Sequence, residues 1–318
     1  MKTKYLITGG TGFIGSNIVE QLVKLKKKVV VFDNDIRGHK KRLSHIKKYI
    51  KFIKGDIRDK KKVFEAVKNI DTIIHLAYIN GTKFFYSKPD LVLDVATKGL
   101  INIFEAARKY RTKEIFLASS SEVYQTPLKI PTDEKEPLKI PDIYNPRFTY
   151  GAGKILTEMY GLYIGKKIFD RVVIFRPHNV YGLDMGNEHV IPEFIKRMKK
   201  ITNKKNSFLI EGNGKEIRSF IHIDDFLKAF EILLMKGKHL NIYNIGTSEK
   251  ITINKLANII SKITKKKIKI KKGALKKGGT KIRLPNILKI KKLGFKPKIK
   301  IRDGLKKILQ DNNEKNFN

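Results

Sequence analysis

Tyr150 and Lys154 stand four residues apart in Tyr-Gly-Ala-Gly-Lys, and Ser120 lies 30 residues before Tyr150 in Ser119-Ser120-Ser121-Glu122-Val123-Tyr124. On a helix, side chains at i and i+4 share a face one turn apart, so the phenol and the ammonium point the same way. A phenol has a reference pKa of about 10 and is a poor base at neutral pH, but a lysine ammonium one turn away favours the phenolate and lowers that pKa. A hydroxyl such as that of Ser120 can then share the proton of a substrate alcohol while Tyr150 removes it. The chemistry on offer is proton abstraction from an alcohol.

The elements that must position these groups begin at the N-terminus. Tyr5-Leu6-Ile7 is a short apolar run suited to a buried parallel strand, and Gly9, Gly12 and Gly15 follow it at a spacing of three. Gly9 permits a tight turn, Gly12 lets the backbone approach a pyrophosphate, and Gly15 removes a side chain where a helix packs on the sheet. Phe13, Ile14, Ile18, Val19, Leu22 and Val23 recur with helical spacing, so Phe13 and Ile14 open a helix whose free N–H groups face a bound anion. A second strand over 27–33 ends in Asp33, 18 residues after Gly15. A carboxylate there accepts hydrogen bonds from a free adenosine ribose and repels a 2′-phosphate, so the expected cofactor is NAD rather than NADP. Its positive nicotinamide ring adds to the support for a Tyr150 phenolate. Asn34 is assigned to the cofactor beside Asp33.

Further strand and helix signals alternate along the chain. A third strand over 51–57 places Asp56 and Ile57 where such folds meet the adenine, a short helix spans 63–68, and a fourth strand over 71–77 brings Leu76 and Ala77 to the cofactor. His75, inside that apolar strand, reads as a packed core histidine. A long helix spans 89–110, a fifth strand runs over 114–120, a helix from Tyr150 reaches about Ile168, and a sixth strand spans 171–176. This order predicts an α/β, doubly wound (Rossmann) parallel sheet. Residues 1–177 are expected to form the NAD-binding domain, with a later segment of about 220–247 returning to it. Residues 178–318 should be mainly a smaller C-terminal substrate-binding lobe, with a helix over 190–198, a strand over 207–210, a turn over 211–214, a strand over 240–247 and a helix over 254–263. Asp224 is expected to cap the helix that follows it.

Composition excludes several classes. The 318 residues contain no cysteine, which removes disulfides, thiolate metal sites and any cysteine nucleophile. The first strand begins by Lys4, leaving no room for a signal peptide, and no apolar run approaches the roughly 18 residues of a membrane span, so a cytoplasmic protein without membrane or metal is expected. The formal charge of +39, from 69 Lys and Arg against 30 acids, could mark a nucleic-acid surface. The lysines are instead spread over helix faces and strand ends, with no zinc-finger spacing and no aromatic-basic motif, so the reading is a solvated surface and no nucleic-acid partner.

The glycine pattern, Ser-Ser-Ser-Glu-Val-Tyr, Tyr-x-x-x-Lys and Arg176-Pro177-His178-Asn179-Val180-Tyr181-Gly182 together resemble the extended short-chain dehydrogenase/reductase superfamily. More narrowly, they resemble its NAD-dependent nucleotide-sugar epimerase/dehydratase family, from Lys4 to about Leu309. The resemblance implies that Tyr150 is the catalytic base, that Lys154 orients the nicotinamide ribose and tunes the tyrosine, and that Ser120 is the hydroxyl partner. Pro177 would lie by the nicotinamide and Asn179 by the sugar or its diphosphate. Arg218 and Arg283 resemble the family's two diphosphate arginines, and two forked guanidiniums suit that ligand. The long helices 89–110 and 150–168 are the pair through which relatives form a homodimer.

The resemblance leaves the reaction divided. In similar 4-epimerases the residue two beyond the catalytic hydroxyl is usually small or neutral, whereas Glu122 looks more like the 4,6-dehydratases and uronate decarboxylases. Dehydratases acting on deoxythymidine sugars carry an Asp-Glu pair, and here Ser121 replaces the Asp. The acid/base cysteine of GDP-mannose 3,5-epimerase, which the His178–Gly182 segment also resembles, has no counterpart. His189 falls near where relatives place a lysine close to the sugar, which makes it a substrate ligand, an acid/base or a solvent-facing loop residue. Epimerisation at C-4 of a nucleotide-diphosphate sugar needs only Ser120, Tyr150 and Lys154, and it is the favoured expectation. Dehydration or decarboxylation through Glu122 is the alternative, and an NAD-binding sensor or scaffold the non-enzymatic one.

Overall fold

The computed structural model describes residues 3–186, 188–202, 206–274 and 278–314. Strands β1 (Lys4–Thr8), β2 (Lys28–Asp33), β3 (Ile50–Lys54), β4 (Thr72–His75), β5 (Glu114–Ala118) and β6 (Arg171–Pro177) build most of the central sheet. The short strands β7 (Val180–Tyr181), β8 (Ser207–Ile210), β9 (Ile217–Arg218) and β10 (Ile221–His222) lie outside it, and β11 (Asn241–Ile245) returns to its edge. Among the described residues this sheet has seven strands in the order β11-β6-β5-β4-β1-β2-β3. Every pairing in it is parallel, with Leu6 opposite both Val30 and Ile73. The order reverses at β1, whose neighbours are β4 and β2, and a crevice opens there beyond the carboxyl ends of the strands.

Both faces of the sheet are covered, which is why its strands are continuous apolar runs rather than alternating ones. Helices α1 (Phe13–Lys24), α2 (Lys60–Val67), α3 (Thr82–Ser87), α4 (Pro89–Tyr110) and α5 (Thr149–Met159) come first in the chain. On one face Val92, Ile103 and Phe104 of α4 pack with Leu6, Ile73 and Ile115. The outer elements follow: α6 (Val190–Lys199), α7 (Ile223–Lys236), α8 (Ile253–Ile263), α9 (Leu288–Lys291) and α10 (Ile301–Glu314), with strands β12 (Ile251–Thr252), β13 (Lys269–Lys272) and β14 (Ile282–Arg283). The second face packs Ile18 and Leu22 of α1 and Phe226 and Phe230 of α7 against Ile7, Val31, Phe116 and Phe175. A third cluster joins Phe194 and Met198 of α6 to Phe208, Leu256, Ile260 and Leu305.

Three local readings change. The fourth and fifth strands stop at His75 and Ala118, short of the expected ends, so Leu76, Ala77, Ser119 and Ser120 lie in the crevice rather than in the sheet. At the first of these ends the Leu76 N–H still reaches the Thr8 carbonyl at 3.1 Å, while the Thr8 hydroxyl accepts the N–H groups of Leu76 and Ala77, both at 3.2 Å. The third strand likewise ends at Lys54, leaving Asp56 and Ile57 in a loop. Asp224 does not cap α7: the helix starts at Ile223, two residues before an Asp224 cap would place it, and His222 caps it, its Nδ1 accepting the Asp224 N–H at 3.2 Å. The helix from Tyr150 keeps α-form only to Met159; a π-helical turn over Tyr160–Ile164 and a 3₁₀ turn over Gly165–Lys167 complete it.

Candidate active site

The cofactor side is built by backbone proximity. Gly9 has φ +70°, and a Cβ there would lie 2.7 Å from the Ala77 nitrogen; a Cβ on Gly15 would collide with the Gly9 carbonyl oxygen. Gly12 is the N-terminal cap residue of α1, so the free N–H groups of the first turn open onto the cleft. Asp33, buried at the end of β2, accepts the Thr11 and Asp35 N–H groups, each at 2.9 Å, which fixes its carboxylate beside the glycine turn. With Asn34, Ile57, Leu76 and Ala77 it lines a cavity of ≈ 110 Å³. Asp56, expected at the cofactor, is not among the residues that line this cavity: its carboxylate accepts from Arg58, which holds it below the usual carboxylate range, and from Asn34 at 3.1 Å. The Thr11 hydroxyl is buried without a protein partner. A glycine cradle at a helix N-terminus, a fixed carboxylate and an orphaned hydroxyl fit NAD. Two arginines bridge from this side to the loop after β7: Arg42 donates to the Thr11 carbonyl at 3.0 Å and to the Asp184 carboxylate at 2.7 Å, and Arg37 pairs with Glu188 at 3.0 Å.

An adjoining cavity of ≈ 330 Å³ runs from Gly12, Phe13, Ile14 and Gly15 to the catalytic candidates. Ser120, Glu122, Tyr150, Lys154, Pro177, Asn179, His189 and Arg283 all line it. Ser120 caps the turn Ser121–Tyr124, its hydroxyl accepting the Glu122 N–H at 3.1 Å. Asn179 takes φ +42°, and its amide donates to the Ser219 carbonyl at 2.8 Å. His189, half-buried at the foot of α6, is held below its usual pKa by burial and by Arg37, so it faces the cleft as a neutral ring.

The electrostatics of the Tyr–Lys pair depart from the expectation. Burial pushes the Tyr150 phenol up, and the Ser120 hydroxyl only partly opposes this. Lys154 does not lower it, because its Nζ donates to the Ala118 carbonyl at 2.7 Å and burial pushes the lysine itself down to about 7. His75 is a buried core histidine, as the apolar strand implied: its Nδ1 meets the Thr8 hydroxyl at 2.9 Å, and burial and Lys154 push it down to about 3.

Glu122 and Arg283, assigned separately from the sequence, are partners. The guanidinium grips both carboxylate oxygens, at 2.7 and 3.1 Å. Burial raises the Glu122 pKa, but Arg283, Arg147 and Arg218 outweigh it and hold the group below the usual carboxylate range. Arg218 itself is turned away from the cleft wall: its guanidinium donates to the carbonyls of Ile217, Thr280 and Lys281, and burial pushes it down to about 10. Three guanidiniums thus surround one carboxylate, and Nε of both Arg147 and Arg283 is buried without a partner. Excess positive charge with free donors suits a phosphate-bearing ligand.

Behind these groups lies a polar network absent from the sequence reading. Glu158, one turn beyond Lys154, accepts from Arg176 Nε at 2.8 Å and Nη2 at 2.6 Å, and from the Ser119 hydroxyl. Arg176 also donates to the Tyr124 hydroxyl at 2.6 Å, which donates to Asn244 at 2.8 Å. Arg147 was missed as well, although it precedes Tyr150 by three residues, a spacing that puts both at one helix end. Tyr78 was missed because it lies in a loop whose only sequence signal is its place after Leu76-Ala77.

Residues 5–246 match the NAD dependent epimerase/dehydratase family. The chain is 33% identical over 314 residues to a putative UDP-glucose 4-epimerase of Methanocaldococcus jannaschii, covering 96% of each chain. It is 32% identical over 322 residues to a UDP-N-acetyl-alpha-D-glucosaminuronate decarboxylase of Bacillus cytotoxicus, covering 98% of each. Its fold superposes on the UDP-glucose 4-epimerase of Thermotoga maritima, solved with UDP-glucose, at a TM-score of 0.88 and 26% identity, covering 99% of this chain and 100% of that one. With the cradle, the Ser–Tyr–Lys group and the match over most of its length, this chain belongs to the NAD-dependent epimerase/dehydratase family.

Proposed function

We propose that the chain is a nucleotide-sugar 4-epimerase. Residues 1–177 would hold NAD and residues 178–318 mainly the sugar nucleotide, with about 220–247 contributing to the first. NAD, when bound, supplies a transient hydride acceptor for C-4. Tyr150 would remove the proton of the 4-hydroxyl, Ser120 would share it, and Lys154 would hold the nicotinamide ribose. Arg283 and Arg147 offer guanidinium donors to the diphosphate, while Arg218, fixed by three carbonyls, contributes charge rather than hydrogen bonds. Asn179 and His189 would face the sugar.

The observation that carries this choice over dehydration or decarboxylation is the Glu122–Arg283 pair. A carboxylate gripped at both oxygens and depressed in pKa is a weak base, so it is poorly suited to take a carbon-bound proton acidified by oxidation at C-4. The second reading keeps one support, since Glu122 does line the cleft and a decarboxylase is among the relatives. Incubation with UDP-glucose should give UDP-galactose; loss of water or carbon dioxide from a nucleotide sugar, abolished in Glu122→Gln, would overturn the choice. We also propose a homodimer through 89–110 and 150–168, because Leu93, Ile101, Met159 and Tyr163 leave apolar surface exposed on that helix pair. No helix among the described residues is long and apolar enough to cross a membrane.

A further inference from the structure

We propose that Tyr78 is a positioning residue for Lys154, the face of its ring holding the lysine ammonium in place beside Tyr150. The Lys154 Nζ lies 3.8 Å from the centroid of the Tyr78 ring, well inside the range of a cation–π contact. An ammonium carries three N–H donors, and one of these is spent on the Ala118 carbonyl. The ring's negative face serves another side of the buried charge. The same ring meets Tyr150 edge-on, with centroids 5.1 Å apart and planes at 87°, while Phe85 stacks on Tyr150 at 5.3 Å. Tyr78 therefore touches both members of the Tyr–Lys pair, and it lines both cavities of the cleft.

The ring, not the hydroxyl, makes these contacts. The Tyr78 hydroxyl oxygen is buried without a partner. It occupies the space left by Gly153, where any Cβ would collide with it. Gly153 lies inside α5 between Tyr150 and Lys154, a position where alanine would otherwise be the better helix former. A glycine there makes sense as the slot for Tyr78.

Other charges reach Lys154 less directly. Glu158, on the next turn of α5, favours the ammonium, but its oxygens are engaged by Arg176 and Ser119. His75, from β4, is held neutral. Burial raises the Tyr78 phenol, so Tyr78 meets the ammonium as a neutral ring, and burial raises the Tyr150 phenol as well. Because burial brings Lys154 down to about 7, loss of one supporting contact changes its charged fraction at working pH.

The inference rests on the reading that Lys154 holds the nicotinamide ribose, and its test does not require the sugar reaction. NAD affinity of the full-length chain is measured by calorimetry from pH 6 to 10 for wild type, Tyr78→Phe, Tyr78→Leu and Gly153→Ala. Tyr78→Phe keeps the ring and should match wild type in affinity and pH profile. Tyr78→Leu should bind NAD about tenfold more weakly at pH 8, with the alkaline fall in affinity moved down by about one pH unit, the equivalent of that factor. Gly153→Ala, whose Cβ would collide with the Tyr78 hydroxyl and push the ring off the ammonium, should reproduce the Leu profile, and it carries the test if Tyr78→Leu does not fold. Wild-type affinity and profile in Tyr78→Leu would overturn the proposal. So would equal damage in Tyr78→Phe, which would move the role to the hydroxyl. A chain that binds NAD as predicted here but epimerises no sugar would refute the reaction and leave this inference standing.

Discussion

Glu158→Gln should be among the most damaging single substitutions in this chain, although Glu158 itself lines neither cavity of the cleft. The Glu158 and Arg176 side chains are only 3% and 2% exposed, and two short hydrogen bonds join them. Burial opposes the guanidinium's charge and Glu158 is the main group that offsets it, but a guanidinium does not lose its proton at working pH, so Arg176 stays charged when its partner is neutralised. Glutamine keeps the shape but removes the charge, and its amide can turn an N–H donor toward guanidinium donors. Removing one member of a fully buried pair costs about 3–5 kcal/mol, against about 0–1 kcal/mol for an exposed one, and the upper range applies here. Urea denaturation at neutral pH reads this as a fall in midpoint at unchanged slope. Turnover should fall as well, because Ser119, adjacent to Ser120, loses its acceptor. The double variant Glu158→Gln/Arg176→Met, which leaves no orphaned charge, should recover part of the stability. A Glu158→Gln protein within about 1 kcal/mol of wild type would refute the reasoning, since the pair would then be behaving as though solvated.

Three further outcomes follow from the site. Wild type should bind NAD much more tightly than NADP, and Asp33→Asn should narrow the gap; equal wild-type affinities by calorimetry would remove Asp33 from its role. Tyr150→Phe should lose at least about 100-fold in kcat while still binding NAD, and Lys154→Ala should weaken both; near-normal turnover in Tyr150→Phe would mean the base lies elsewhere. Glu122 has a folded pKa below its ordinary 4.5, so it contributes stability above about that pH and loses it as pH falls through the depressed value. The stability gap between wild type and Glu122→Gln, measured by urea denaturation, should be flat at neutral pH and close on acidification below about 4.5; a gap that widens in acid would contradict the pairing with Arg283.

What the sequence disclosed is what lies close together along it. The glycine cradle, Asp33 at the end of β2 and the Tyr150–Lys154 turn are each set by a few neighbouring residues, and all reappear in the crevice. Contacts between distant residues were not legible. Glu122 and Arg283 are 161 positions apart, and each alone suggested a different task, catalysis for one and phosphate binding for the other. Tyr78 and Lys154 meet only because β4 and α5 converge on the same end of the sheet. The surroundings of Tyr150 were hidden for a related reason: helical spacing showed the neighbouring ammonium, but only packing shows that burial raises the phenol and that the ammonium turns to Ala118. At α7 the competition was local yet still hidden, since His222 and Asp224 can both cap and only the backbone path decides between them.

The central claim is reversible oxidation at C-4 without further use of the acidity it creates. Its most direct test incubates the enzyme with a panel of UDP-, GDP-, CDP- and deoxythymidine-diphosphate sugars in heavy water and follows the products by NMR and mass. The account predicts inversion at C-4 of at least one sugar, with unchanged mass and no carbon-bound deuterium. Loss of water with deuterium uptake, or loss of carbon dioxide, would contradict it.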